Sequence, residues 1–331
     1  MTEGIPATFR AYQYDNYGNT FEELKLRDNV PQPALAPTEV RIQVQSAALN
    51  PVDYVLIEEL GPMLTGSTPS AERPHRIGFD AAGTIVEVGR SMSSDLKAGD
   101  AVYAMTPFSG FGTFAEYVNI DEKYVAIKPT NVSFDQAASV PLAALTSYQG
   151  LLEHAKLSPG QRVLILGGSS ATGIFAIQIA KAIGAHVIAT TSARNADFVT
   201  SLGVDQVVDY TMHKWVDAIE PHSIDVIYDC GMEPNSWNGD AQTVLKKVTS
   251  QFVTLLPVEN PIDSKFGAHS HGQIKVYPSA VQLQELTKLI EAGKVITPID
   301  SVYPFENLAD AIRKVKTRRA VGKVVLQVQA N

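Results

Sequence analysis

Residues 164–173 read Leu164-Ile165-Leu166-Gly167-Gly168-Ser169-Ser170-Ala171-Thr172-Gly173, an apolar strand running through a glycine-rich turn into an apolar helix. Gly168, Ser170 and Gly173 have the spacing G-x-S-x-x-G. In a dinucleotide-binding turn the first glycine makes the tight bend and the last lets helix and strand pack closely, while helix N-terminal N–H groups receive the pyrophosphate. Ser170 stands where a glycine normally lets backbone approach the phosphates; its side chain is small and its hydroxyl could donate to one. The motif alone also fits a turn with no ligand. The surroundings decide between the two, because further strand–helix units follow.

Outward from this turn, strand and helix patterns alternate. Arg162–Leu166, His186–Thr190, Gln206–Val208, Asp225–Asp229, Gln251–Leu256 and Ile274–Tyr277 read as short strands, with helices at Gly173–Ile183 and Asn195–Leu202. Short strands separated by helices imply βαβ units and a parallel sheet. A helical stretch, Asp135–Lys156, leads into this region and ends at the turn signal Ser158-Pro159-Gly160.

The first 130 residues have another character. Val40–Leu49 alternates apolar and polar residues as a half-buried strand does. Gly83–Val88, Ala101–Ala104, Thr113–Asn119 and Tyr124–Lys128 follow as short candidates divided by Gly and Pro, the pattern of a coiled antiparallel sheet. Near the end, Pro278–Ala292 is an amphipathic helix, and Ile296–Tyr303, Glu306–Lys316 and Lys323–Val328 read as strand, helix and strand. The expected organisation is a β-rich domain, residues 1–129 and 277–331, interrupted by a parallel α/β domain, residues 130–276.

The second strand of the α/β region bears on the choice of nucleotide. An NAD site usually carries an acid about 20 residues past the first glycine, to bind the ribose 2′-hydroxyl. Ala185–Ala196 contains no acid but offers Thr190, Thr191, Ser192 and Arg194. Hydroxyls and a guanidinium suit a 2′-phosphate, so NADPH is the expected coenzyme.

Composition narrows the function classes. Of 331 residues, 45% are hydrophobic and 19% charged, a profile that excludes a disordered chain. The net charge of −8 disfavours binding to nucleic-acid backbones, which needs clustered cations. The single cysteine, Cys230, excludes an intrachain disulfide framework and any zinc site of several thiolates. No window offers the roughly 18 uninterrupted apolar residues of a membrane span, and the basic-then-apolar start of a secretory signal is missing. A cytosolic protein is expected.

Several short motifs occur in a telling order: Asn50-Pro51-Val52-Asp53, Gly78-Phe79-Asp80-Ala81-Ala82-Gly83, Gly99-Asp100-Ala101-Val102, Gly112-Thr113-Phe114-Ala115-Glu116-Tyr117 and Leu145-Thr146-Ser147-Tyr148. After the Gly167–Gly173 turn come Asp209-Tyr210, Leu289-Ile290-Glu291-Ala292-Gly293-Lys294 and Val321-Gly322-Lys323-Val324-Val325. Along nearly its whole length the chain resembles the zinc-independent quinone oxidoreductases related to zeta-crystallin, a branch of the medium-chain dehydrogenase/reductase superfamily. The resemblance implies a GroES-like β-rich catalytic domain, a Rossmann parallel-sheet domain, NADPH in the cleft between them, and a homodimer. It further implies that Asn50 and Thr146 touch the nicotinamide end. Gly168, Ser170, Ala171, Thr172 and Gly173 would hold the pyrophosphate, and Ser192, Arg194 and Tyr210 would flank the 2′-phosphate. Gly322 and Lys323 would belong to the segment that closes on the coenzyme. The chain departs from the pattern at Ala171-Thr172, where the family usually has Gly-Val, and at Asn195, where it often has lysine. Tyr54 lies one place before the usual tyrosine.

Zinc-dependent relatives take catalytic ligands from a cysteine and a His-Glu pair near Asn50 and Phe79-Asp80, and this sequence has none of them. Among the seven histidines, His269-Ser270-His271 comes closest to a metal motif, and it reads as solvated loop. Metal-free transfer of hydride to an electrophilic acceptor is therefore expected. A quinone is the first candidate, with an alkenal or enone double bond as the close alternative. A non-catalytic NADPH-binding protein, crystallin-like or RNA-binding, is the reading from another class. Tyr54 is a candidate proton donor as much as a core aromatic. Asp53 and Asp80 read as turn caps or partners of arginine, and Cys230 as a buried small side chain.

Overall fold

The computed structural model describes residues 4–109 and 112–329. The chain divides into two compact units: Met1–Leu142 with Pro278–Glu291 and Thr297–Asn331, and Ala143–Tyr277 with Ala292–Ile296.

In the first unit, β1 (Thr8–Tyr14) pairs antiparallel with β2 (Lys25–Pro31) and with the short β4 (His75–Arg76), β3 (Glu39–Ala48) intervening in sequence. The sequence pattern alone does not single out β1 and β2 as strands. β3 is central to a larger sheet, antiparallel to both β5 (Asp80–Val88) and β7 (Tyr117–Asp121). β5 continues to β6 (Ala101–Met105), and β6 to β8 (Val125–Ile127). The alternation in β3 suggests one face open to water, but both faces are largely covered. Arg41 is buried there: its guanidinium donates to Asn119 Oδ1 (3.1 Å), Glu87 Oε2 (2.5 Å) and the Pro33 carbonyl (2.6 Å). A long side chain whose head finds acceptors can occupy a covered face.

The second unit has six parallel strands: β9 (Arg162–Leu166), β10 (His186–Thr191), β11 (Gln206–Asp209), β12 (Val226–Asp229), β13 (Gln251–Thr254) and β14 (His269–Gln273). Their spatial order, β11-β10-β9-β12-β13-β14, is the 3-2-1-4-5-6 order of a doubly wound dinucleotide-binding sheet. Val163–Leu166 and all of β12 are buried, as strands covered on both faces must be. The sixth strand lies five residues earlier than Ile274–Tyr277, so His269 and His271 are on an edge strand and not in a loop. The Asp135–Lys156 stretch is broken into helices Phe134–Ala138 and Pro141–Tyr148 and a wider turn, Gln149–His154. The Ser133–Gln136 capping box starts the first of these helices.

Returning to the first unit, β15 (Ile299–Pro304) lies parallel to β16 (Lys323–Gln327), and β16 pairs antiparallel with β3. The end of the chain thereby becomes an interior strand of the sheet that carries Asn50 and Asp80 at its margin.

Candidate functional site

The glycine turn leaves β9 at the switch point of the sheet, where neighbours on either side continue in opposite directions. A Cβ on Gly173 would stand 2.2 Å from the Gly167 carbonyl oxygen, so helix Ala171–Ile183 approaches the strand as closely as only glycine permits. Gly167 has φ +88°, and a Cβ there would meet Gly231 Cα at 2.5 Å. Thr190 braces the bend: its hydroxyl accepts the Gly167 N–H (2.9 Å) and its carbonyl accepts the Gly168 N–H (2.8 Å). Ser147 ties the preceding helix to the same turn by donating to the Thr172 carbonyl at 2.7 Å. The sequence singles out both residues, but not this bracing role, which no spacing records.

Ser170 does something different from what its position suggests. Its hydroxyl oxygen accepts the Gly173 N–H at 3.0 Å, capping the helix. The hydroxyl hydrogen points toward Cys230 Sγ, 3.8 Å away. Ala171 and Thr172 are half-buried in the first helical turn. Cys230 is itself buried and donates to the Leu166 carbonyl (3.1 Å); burial pushes its thiol up to about 12, which leaves it unreactive.

The adenosine end of a dinucleotide would meet the carboxyl ends of β10 and β11. Thr191 Oγ and Ser192 Oγ are shielded from water there and have no hydrogen-bond partner, which is the state of hydroxyls awaiting a polar ligand. Arg194 is exposed in the short turn Ala193–Asn195, and Tyr210 is 51% exposed at the end of β11. Asn195 is buried; its amide donates to Ser169 Oγ (3.1 Å), tying this loop to the glycine turn. The cradle that a side chain would fill and the two orphaned hydroxyls fit a bound dinucleotide.

The first unit holds a buried polar cluster. Asn50 begins helix Pro51–Val55, with proline in the first turn and Asp53 completing a capping box. The Asp53 carboxylate accepts the Asn50 N–H at 2.6 Å, and its other oxygen has no partner. Asn50 Nδ2 donates to Asp80 Oδ2 (2.9 Å), while the Lys323 ammonium donates to Asn50 Oδ1 (2.5 Å) and Asp80 Oδ2 (3.0 Å). The Leu142 N–H donates to Asp80 Oδ1 (2.7 Å). An ammonium only donates and a carboxylate only accepts, so the Asn50 amide has one permitted orientation. Burial lifts the Asp53 carboxyl to about 8, against the opposing pull of the Asn50 N–H and Lys323; Asp80 adds to the rise. Asp80 thus pairs with a lysine and not an arginine. Lys323, expected in a coenzyme-closing segment, turns its ammonium into the protein interior, 2% exposed, beside the buried Gly322.

Thr146 is buried in the last turn of helix Pro141–Tyr148. Tyr54 is half-buried against the core of the first unit, with the Lys316 ammonium 4.8 Å from its ring centre. The rings of His269 and His271 are 4.5 Å apart, edge to face, and His271 Nε2 lies 2.9 Å from Gln251 Oε1. Burial, aided by His269, His154 and Lys156, holds His271 down to about 4, so it is neutral at physiological pH. Among the described residues no group of three or more His, Cys, Asp or Glu side chains is placed to hold a metal ion, and no helix is long and apolar enough to cross a membrane.

With this geometry in view, comparison with known proteins identifies the family. Residues 36–130 match the family model described as alcohol dehydrogenase GroES-like domain, and residues 202–326 match that of zinc-binding dehydrogenase. The chain is 36% identical over 332 residues to 2-methylene-furan-3-one reductase of Solanum lycopersicum, covering 97% of this chain and 80% of that protein. It is 35% identical to the NADPH-dependent alkenal/one oxidoreductase, chloroplastic, of Arabidopsis thaliana, with 97% and 80% covered. The structure of the quinone oxidoreductase from Coxiella burnetii superposes with a TM-score of 0.83 at 27% identity, covering 97% of this chain and 99% of that one. The protein belongs to the medium-chain dehydrogenase/reductase superfamily. Within it, the chain is an NAD(P)H-dependent oxidoreductase, and the proteins it resembles are named as a furanone reductase, an alkenal/one oxidoreductase and a quinone oxidoreductase.

One family model is named for zinc, and the residues here do not fit that ion. At the positions where zinc relatives place ligands, Asn50 and Asp80 already hold the Lys323 ammonium, a fixed cation that would repel a second one. The sole thiol, Cys230, is held protonated in the other unit.

Proposed function

We propose that the protein reduces a carbonyl-conjugated acceptor with NADPH, without a metal, and that enals and enones are its favoured substrates ahead of quinones. The observation that carries the coenzyme half is the close-packed Gly167–Gly173 cradle on the first strand of a 3-2-1-4-5-6 sheet. The preference for a conjugated alkene rests on the two relatives at 35–36% identity, named for alkenal/one and furanone reduction. The likeness to a quinone oxidoreductase at 27% keeps quinones as the second reading.

When bound, NADPH supplies the hydride; this chain's residues bind and orient. Helix N–H groups from Ala171 onward receive the pyrophosphate, and Ser192, Arg194 and Tyr210 surround the 2′-phosphate. In the first unit, Asn50 is fixed by Lys323 and Asp80 and is the proposed contact for the nicotinamide end; in the second unit Thr146 is proposed for the same role. Tyr54 is the proposed proton donor to the reduced product. Catalysis rests on orientation, since a conjugated acceptor is already electrophilic.

Purified protein is to be mixed with NADPH and, in parallel, 2-alkenals, cyclic enones, and 1,2- and 1,4-quinones, following the absorbance of the reduced coenzyme. Turnover of enals and enones is expected. Turnover of quinones alone reverses the substrate order, and tight NADPH binding with no turnover of any acceptor refutes the enzymatic reading in favour of a binding protein.

A further inference from the structure

Ala185–Ala196 is free of acids, yet the fold delivers one to it from the next strand. Asp209 ends β11 in register with Thr191 of β10, and the Tyr210 N–H donates to the Thr191 carbonyl at 3.2 Å. The Asp209 carboxylate accepts the Thr211 N–H (2.9 Å) and hydroxyl (2.7 Å). A negative charge therefore stands level with Thr191, at the strand end that leads into the turn carrying the only guanidinium of this segment, and Thr191 and Ser192 there hold the two orphaned hydroxyls.

We propose that Asp209 is a specificity-determining residue of the coenzyme site: its fixed carboxylate opposes a ribose 2′-phosphate and limits the preference of this chain for NADPH over NADH. The proposal rests on the coenzyme reading above and deepens it. Arg194 and Asp209 flank the same turn with opposite charges. Arg194 is exposed and can swing toward a phosphate, whereas the Asp209 carboxylate is held by two hydrogen bonds from Thr211. A 2′-phosphate brings about −1.5 to −2 charges, so it feels both neighbours, while a 2′-hydroxyl feels neither strongly. The hydrogen bonds from Thr211, with His213 nearby, hold the Asp209 carboxyl below the usual range, so its charge is present throughout the neutral region.

The test uses adenosine 2′,5′-bisphosphate and 5′-AMP as probes of the adenosine end, titrated calorimetrically into the full-length protein. D209N and D209S both remove the charge and keep an acceptor for the Thr211 N–H group; having two variants guards against one that folds poorly. Each is expected to bind the bisphosphate about three- to tenfold more tightly than the parent does, with 5′-AMP changed less than twofold. The gain is expected to shrink as salt rises from about 0.02 to 0.3 M, because screening weakens an exposed charge–charge term. An unchanged bisphosphate affinity overturns the proposal, as does an equal loss for both ligands, which marks Asp209 as a loop brace only. If the parent protein binds neither probe, the coenzyme reading itself fails, and the assignment of Asp209 fails with it.

Discussion

Replacing Lys323 with methionine tests the buried lock of the first unit. Methionine keeps the length and apolar stem but removes the ammonium, so Asn50 Oδ1 loses its donor and Asp80 loses its counter-charge. Asp80 still accepts from Asn50 Nδ2 at 2.9 Å and from the Leu142 N–H at 2.7 Å. Breaking a buried ion pair by removing one partner typically costs about 3–5 kcal/mol. With two N–H donors left on the carboxylate, the lower part of that range applies, about 3–4 kcal/mol. For a urea m-value of about 2–3 kcal/mol/M, the midpoint falls by about 1–2 M. The double variant K323M/D80N removes both charges and should recover about 2 kcal/mol of the loss, the coupling expected for groups in contact. The assay must report the correct unit. Both tryptophans, Trp215 and Trp237, are in the second unit, so their fluorescence serves as the control that stays in place. Hydrogen exchange of amides in β3 and β16 follows the lock itself. A K323M protein within about 1 kcal/mol of the parent, or a double variant no more stable than the single one, would refute the reasoning.

Asp53 predicts a pH effect of definite sign. Its carboxyl rises on folding from the ordinary carboxylate range to about 8, so the folded state holds a proton that the unfolded state releases. The stability it contributes is complete below about pH 4 and is lost as pH rises toward 8. D53N, which stays neutral, should narrow the difference in urea midpoint between pH 5 and pH 8; an unchanged difference counts against the buried titration. G173A places a methyl group 2.2 Å from the Gly167 carbonyl oxygen and should weaken dinucleotide binding at least about tenfold while costing about 1–3 kcal/mol, measured by coenzyme fluorescence titration and urea melts. R194E should raise the KM for NADPH about tenfold or more while sparing NADH; unaltered NADPH kinetics would remove Arg194 from the site.

How legible was this protein in its sequence? The inner strands of the α/β region were readable because β9, β10 and β12 are largely apolar runs bounded by turns, a local pattern that no distant contact alters. β1 and β2 were not readable: β2 is mostly exposed or half-exposed, and its strand identity comes from pairing with β1 and not from its own residues. His269 and His271 were misplaced because polar residues on an edge strand look like loop. At the site, the glycine spacing was plain, since it records backbone proximity directly. The bracing roles of Thr190 and Ser147 were hidden because each acts on a segment distant in sequence, and no spacing records such a contact. The motif around Lys323 marked its segment, but that the ammonium turns inward onto Asn50 and Asp80 is seen only in the fold.

That inward lysine also sets the order in which a growing chain can mature. Asp80 and Lys323 are separated by 243 residues. At synthesis rates of about 5–20 residues per second, the carboxylate waits about 12–50 s for its counter-charge to be made. The parallel sheet, by contrast, is nearly continuous in sequence and can close within that interval. The pairing of Asp80 with Lys323 therefore cannot form until β16 has been made, after every strand of the parallel sheet.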